Sequence, residues 1–88
     1  MALIDDLADG LARDTLAVLE ELGDDRFYEK VSRVVGQLSP TLQEAFITCV
    51  RLRLAEQRGR SFLNQTLAAH RSGGAAPAAP RNLDPGGH

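Results

Sequence analysis

The chain has 88 residues and a formal net charge of −2, which is enough sequence for one small domain. A domain of this size buries only about 60% of the surface that its unfolded chain exposes, so disulfides, a metal or self-association usually support its core. Cys49 is the single cysteine, which excludes a disulfide within the chain, and one cysteine with two separated histidines lacks zinc-site spacing. We therefore expect a homo-oligomer or a protein partner, with no metal and no other cofactor.

The N-terminal sequence has neither the basic start nor the apolar run of a secretory signal, and no segment is long and apolar enough to span a bilayer. One unpaired cysteine is compatible with a reducing compartment. These features predict a cytoplasmic protein that does not enter a membrane.

The first predicted helix covers residues 3–22, where apolar residues recur at spacings of three and four. The main apolar stripe consists of Leu3, Leu7, Leu11, Thr15, Val18 and Leu22. The residues that widen this stripe are Ile4, Ala8, Ala12, Leu16 and Leu19. We expect Asp9 to pair with Arg13 four residues later, and Gly23 to end the helix.

The second predicted helix covers residues 25–35, with Asp24 as its N-cap and Gly36 as its end. Its apolar face consists of Phe27, Val31, Val34 and Val35. Leu38 comes just before the next helix, and an apolar residue at that position often packs back on the following turns as a hydrophobic staple.

The third predicted helix, residues 39–70, is the element around which the rest of the chain is organised. Ser39 can cap its first turn, and Pro40 suits the first helical position. Gly59 either leaves one long helix or divides it into two collinear helices. Because apolar residues lie on more than one face, we expect several neighbours to bury this helix, including other copies or a partner. The predicted core or oligomer residues are Leu42, Phe46, Ile47, Val50 and Leu54.

These elements predict an all-α fold, a small bundle of three or four helices formed by residues 1–71. The first helix and the long helix from Pro40 are expected to pack antiparallel. From Ser72 the composition changes to glycine, alanine and proline, with almost nothing to bury. Such a segment cannot offset its ordering entropy, so residues 72–88 are predicted to be a disordered C-terminal tail.

Charge is distributed unevenly along the chain. Residues 1–36 hold nine acids and four bases, a net charge of −5, whereas residues 37–72 hold two acids and five bases, a net charge of +3. This asymmetry suits contact between subunits or a basic face turned toward nucleic acid, and it also arises from ordinary solvated helix faces. The candidate DNA- or partner-binding residues are Arg51, Arg53, Arg58 and Arg60.

No catalytic motif is present in the sequence. It has no glycine-rich phosphate loop, no metal-spaced histidine and cysteine set, and no serine-hydrolase elbow. Asp5, Asp6 and Asp9 match the dipole of a helix start better than a metal site. Cys49 lies within a helix among apolar residues, which is typical of an inert thiol. We expect a non-enzymatic protein.

The segment from Leu38 to Leu63, LSPTLQEAFITCVRLRLAEQRGRSFL, follows an acidic helix and resembles the small terminase subunit of phage-like gene transfer agents. The resemblance covers residues 7–70. It implies a helical-hairpin oligomerisation core, assembly into a ring, and docking toward the large terminase that cuts and pumps DNA. Phage small terminases often carry a separate N-terminal helix-turn-helix, which this chain is too short to hold, so the resemblance does not imply sequence-specific DNA recognition.

Two functional hypotheses follow. The first is an oligomeric adaptor of a phage-like DNA-packaging machine, which docks a large terminase or contacts DNA non-specifically through the Arg51–Arg60 region. The alternative is a small regulatory interaction module, such as a transcription-associated adaptor, that binds one protein partner and no DNA. Salt separates them, because phosphate binding weakens steeply as salt rises and an apolar helix contact is much less sensitive.

Overall fold

The computed structural model describes residues 2–74, and this part of the chain forms four α-helices and no strand. The helices are α1 (Leu3–Ala17), α2 (Leu19–Leu22), α3 (Phe27–Gly36) and α4 (Pro40–Arg71). The predicted all-α fold with a long helix from Pro40 is confirmed. The chain divides into two compact units, the first ending at Ala55 and the second beginning at Glu56. The predicted disordered tail lies outside the described residues from Ala75 onward.

The first predicted helix is interrupted at Val18. Helix α1 ends at Ala17, and Val18 has φ −110° and ψ 4° before α2 adds one further turn. The backbone N–H of Val18 donates to the carbonyl oxygen of Thr15 at 3.2 Å, a tighter turn than the α-helical pairing. The prediction of one helix over residues 3–22 was therefore wrong at this point.

Gly23 ends α2 as predicted. Its φ is +66°, a left-handed conformation that glycine adopts without steric cost. The N–H of Gly23 donates to the carbonyl of Glu20, and the N–H of Asp24 donates to the carbonyl of Leu19. These two bonds satisfy carbonyls that the end of a helix otherwise leaves without partners.

Helix α3 begins two residues later than predicted. Arg26 precedes it and makes no side-chain capping bond. Asp24, the predicted N-cap, instead accepts the backbone N–H of Arg26 at 3.1 Å and binds the Lys30 ammonium group at 3.1 Å. A short aspartate side chain readily bonds a backbone group two residues on, and this turn delays the helix start.

Ser39 and Pro40 begin α4 as predicted. The Ser39 hydroxyl accepts the backbone N–H of Leu42 at 3.0 Å, which is the N-cap bond. Helix α4 then continues to Arg71 through Gly59, so the alternative of two separate helices does not hold.

The turn between α3 and α4 lacks the predicted hydrophobic staple. Leu38 is 94% exposed, because the position on α4 that would receive it is occupied by polar Gln43. Gln43 lies instead against the end of α3, where a Cβ atom on Gly36 would come within 2.6 Å of the Gln43 side chain. Gly36 therefore leaves room for the Gln43 side chain against the end of α3.

The core of the first unit is built on two large side chains, Phe46 and Val50, both fully buried. They form one cluster with Ala12 of α1. The inner face of α1 consists of small residues, because Ala8 and Thr15 are the other buried positions of that helix. The partly buried residues around this cluster are Leu11, Leu16, Tyr28, Val31, Ile47, Cys49 and Leu54.

Helices α1 and α4 run antiparallel within the first unit, as predicted. Asp9 of α1 pairs with Arg53 of α4, whereas Ala12, one turn later in α1, packs with Val50 and Phe46, which come earlier in α4. Helix α3 packs against α1 and adds Tyr28 and Val31 to the same core.

No helix within residues 2–74 is both long and apolar enough to cross a bilayer.

We predict that Phe46→Asp abolishes folding. Truncating a buried phenylalanine costs about 3–5 kcal/mol. The least stable small domains have a free energy of unfolding of only about 5 kcal/mol, so this loss is close to the whole. The new carboxylate would in addition be buried without a partner. Leu52→Asp is the matched control, because Leu52 lies on the same helix and is 65% exposed. It should change the free energy of unfolding by less than about 1 kcal/mol. Thermal melting followed by circular dichroism tests both variants. Equal melting temperatures for Phe46→Asp and Leu52→Asp would contradict the placement of Phe46 in the core.

Candidate functional site

The four candidate arginines all lie on α4, two in each unit. Arg51 and Arg53 belong to the first unit, and Arg58 and Arg60 belong to the second. Arg53 is half-buried, whereas the other three are exposed. Their surroundings differ, so the four guanidinium groups are not equivalent as binding groups.

Arg53 binds Asp9 of α1 through two hydrogen bonds. Its Nε donates to Oδ1 at 2.7 Å and its Nη2 donates to Oδ2 at 2.8 Å. These bonds lower the pKa of Asp9 below its ordinary value, and they raise the pKa of Arg53. The planar guanidinium matches a carboxylate in this two-bond geometry, so Arg53 links α4 to α1.

The pairing of Asp9 corrects one sequence prediction. Asp9 was expected to pair with Arg13 along α1, but its carboxylate is taken by Arg53. Arg13 instead donates to the adjacent Asp14 at 3.1 Å, where both side chains are exposed. A bidentate pair between helices is stronger than a single exposed contact along one helix, which explains the preference.

Arg51 borders two shallow grooves between α3 and α4. One is lined by Ser32, Gln43, Glu44, Ile47, Thr48 and Arg51. The other is lined by Arg26, Tyr28, Glu29, Ile47, Val50, Arg51 and Leu54. Both grooves contain a glutamate beside Arg51, so this surface is mixed in charge. Such a surface suits a polar protein contact better than a long run of phosphates.

The second unit presents Arg58 and Arg60 on a solvent-exposed stretch of α4. Arg60 pairs with Glu56 one turn earlier, with Nη2 and Oε2 2.6 Å apart. Arg58 takes part in no ion pair within residues 2–74. Arg58 and Arg51 are consequently the two candidate arginines whose charge is available to a ligand. For all four residues, DNA or partner binding stays a prediction.

The five predicted core or oligomer residues lie in the first unit and mostly serve its own core. Phe46 and Val50 are fully buried, and Ile47 and Leu54 are half-buried against the same cluster. Leu42 is also half-buried. Little of these side chains remains to be covered by another molecule.

Exposed apolar surface of the described residues lies elsewhere, on leucines outside the five predicted core or oligomer residues. On α1, Leu3 is 71% exposed and Leu7 is 53% exposed, although both belonged to the predicted main stripe. In the second unit, Leu63 is 50% exposed and Leu67 is 37% exposed. The missed signal was the row Ala8, Ala12 and Thr15, whose small side chains form the buried face of α1.

Two observations on the described residues bear on a reactive thiol and on metal binding. Cys49 is half-buried, and burial together with the nearby Asp9 and Asp5 carboxylates raises the pKa of its thiol. The reactive thiolate is therefore disfavoured. Residues 2–74 contain no cluster of three or more histidine, cysteine or acidic side chains that could hold a metal.

Comparisons with protein-family models, with curated proteins and with solved structures found no match to this chain. The resemblance to small terminases stays a prediction from the sequence.

We predict that the Asp9–Arg53 pair makes stability depend on pH in the acidic range. Because folding lowers the pKa of Asp9, the pair contributes stability above the unfolded pKa of about 3.9 and loses it as pH falls through the lower folded value. Asp9→Asn should therefore destabilise the protein at neutral pH, and its difference from wild type should shrink below that range. Urea unfolding at several pH values measures this difference.

The control for this measurement is Asp25→Asn, since Asp25 is exposed and takes part in no ion pair within residues 2–74. Its difference from wild type should be small at every pH. A constant penalty for Asp9→Asn across the range would contradict an electrostatic role for the pair.

Proposed function

We propose that this chain is a non-enzymatic adaptor that self-associates and serves a phage-like DNA-packaging machine, beside a large terminase. The observation that carries the self-association is the pair of exposed leucine rows, Leu3 with Leu7 and Leu63 with Leu67. Each row consists of two leucines one helical turn apart, on the same face of its helix. Groups of exposed apolar side chains on a small domain mark interaction surfaces.

The size of the core supports the same proposal. In the described part of the chain, the large side chains that are fully buried are Phe46 and Val50. A small domain with so limited a core gains stability when further apolar surface is covered by another subunit. The exposed leucines supply that surface without disturbing residues that the fold itself requires.

The DNA-packaging part of the proposal rests on the resemblance of the Leu38–Leu63 segment to small terminases. Arg51 and Arg58 are the arginines of that segment that remain available for phosphates. Two separate arginines give weak, sequence-independent contact, which fits a subunit that holds DNA transiently and passes it to a motor.

A second candidate function is supported by the turn before α4. Leu38 is almost fully exposed, and Val34, one turn earlier, is 64% exposed. An apolar corner of this kind suits insertion into a groove on one protein partner. A regulatory interaction module that binds no DNA would use this corner and would remain a monomer on its own.

We predict that light scattering over a concentration series gives a stable mass of several subunits for the wild-type chain. Apolar contact should keep that mass nearly constant between low and moderate salt, since the hydrophobic effect is not screened. A monomer at every concentration would contradict the packaging proposal and favour the single-partner module.

We predict that the chain binds DNA of any sequence weakly and that Arg51→Ala with Arg58→Ala removes most of this binding. Removing one arginine that binds a phosphate should reduce the slope of log affinity against log salt by about 0.9. Arg33→Ala is the matched control, because Arg33 is exposed on α3 and lies outside the candidate set. Fluorescence anisotropy with a labelled duplex at several salt concentrations measures both effects. Equal DNA binding by the double variant and the wild type would contradict a role for these two arginines in DNA binding.

A further inference from the structure

We infer that copies of this chain associate head to tail, with the exposed face of α1 in one copy receiving the second-unit face of α4 from the next copy. This inference rests on the self-association proposed above and names the two surfaces that meet. It commits to a second copy as the occupant of both surfaces, because their charge and chemistry are complementary.

The first surface is the acidic leucine face of α1, defined as Leu3, Asp6, Leu7 and Asp14. All four side chains are exposed. Asp14 already accepts a bond from Arg13, whereas Asp6 takes part in no ion pair within residues 2–74. Leu3, Leu7, Gly10 and Asp14 follow one another at spacings of four, three and four, which places them on one side of the helix. Ala8 and Ala12 lie on another side and are fully buried, so this face points away from the core.

The second surface is the basic leucine face of α4, defined as Arg60, Leu63, Leu67 and Arg71. These residues are exposed and follow one another at spacings of three, four and four on one side of the helix. An arginine therefore flanks the leucine pair at each end, and Arg60 is already paired with Glu56 one turn earlier. Arg71 takes part in no ion pair within the described part of the chain, and its charge is available to a partner.

The charges of the two units favour the pairing of unlike faces. Residues 1–55 hold ten acids and six bases, a net charge of −4, whereas residues 56–74 hold one acid and three bases, a net charge of +2. Two acidic faces would repel each other, and so would two basic faces. Only contact between an acidic leucine face and a basic leucine face covers the leucines of both faces while bringing opposite charges together.

A contact between two different faces is heterologous. Each copy then uses one face toward the copy before it and the other toward the copy after it, which generates a closed ring or an open filament. A symmetric dimer made from two identical faces would stop at two subunits.

Two variants that each block one face test this arrangement. Leu3→Gln with Leu7→Gln blocks the α1 face, and Leu63→Gln with Leu67→Gln blocks the α4 face. Glutamine keeps the side-chain length and a good helix propensity, and all four positions are exposed, so both variants should fold. Circular dichroism verifies their helix content.

Light scattering should find each blocked variant monomeric when it is alone. An equimolar mixture should form a complex of two subunits and no larger species, because one intact α1 face and one intact α4 face remain and meet once. Leu38→Gln is the matched control, an exposed leucine outside both faces, and it should keep the wild-type mass.

Charge reversal gives a second test with a different readout. Asp6→Arg alone and Arg71→Asp alone should each lower the association constant at low salt. Both changes in one chain should restore it, since every contact then joins the two reversed charges.

The outcomes separate this inference from the proposed function. Suppose that the wild-type chain is an oligomer but the blocked variants keep its mass, or that the mixed variants stay monomeric. Either result contradicts the assignment of the two faces and leaves the proposed self-association standing. A wild-type chain that is monomeric at every concentration overturns both. Formation of the two-subunit complex only on mixing supports the head-to-tail arrangement.

Discussion

The first unit depends on the small-residue face of α1, which receives the two large core side chains of α4. Ala8, Ala12 and Thr15 form the buried face of α1, and Ala12 lies directly in the cluster with Phe46 and Val50. Because the side chains on this face of α1 are small, the large Phe46 and Val50 side chains of α4 fill the space between the two helices. The bidentate contact between Asp9 and Arg53 then ties the same two helices together outside this cluster.

This arrangement leaves two large leucines of α1, Leu3 and Leu7, on the surface. The buried side of α1 consists of Ala8, Ala12 and Thr15. Leu3 and Leu7 lie on a different side of the helix. Leu3 and Leu7 therefore face solvent, although they are among the most hydrophobic residues of the helix start. Along α1, small residues thus form the buried face, while Leu3 and Leu7 remain exposed. Along α4 the division differs, because the large Phe46 and Val50 side chains serve the core while Leu63 and Leu67 remain exposed.

The sequence predicted the helices well because their signals are local. The cap at Ser39, the proline at position 40 and the left-handed glycine at position 23 all depend on neighbouring backbone groups, and all three were confirmed. Tertiary contacts decided the rest. The periodicity of α1 could not show which of its apolar rows faces α4, and the nearest base in sequence was not the partner of Asp9. Likewise, four arginines close together in sequence differ in availability because Arg53 and Arg60 are engaged by carboxylates.

The small-residue face of α1 also sets what selection can tolerate along this helix. A larger side chain at Ala8 or Ala12 would force the helices apart, and overpacking of this kind costs about 1–3 kcal/mol. A polar side chain at Leu3 or Leu7 would cost the isolated fold almost nothing. Mutational drift under selection for folding alone would thus preserve the alanines and erode the leucines. Persistence of leucine at those positions over long divergence would record selection on assembly, separate from selection on the fold.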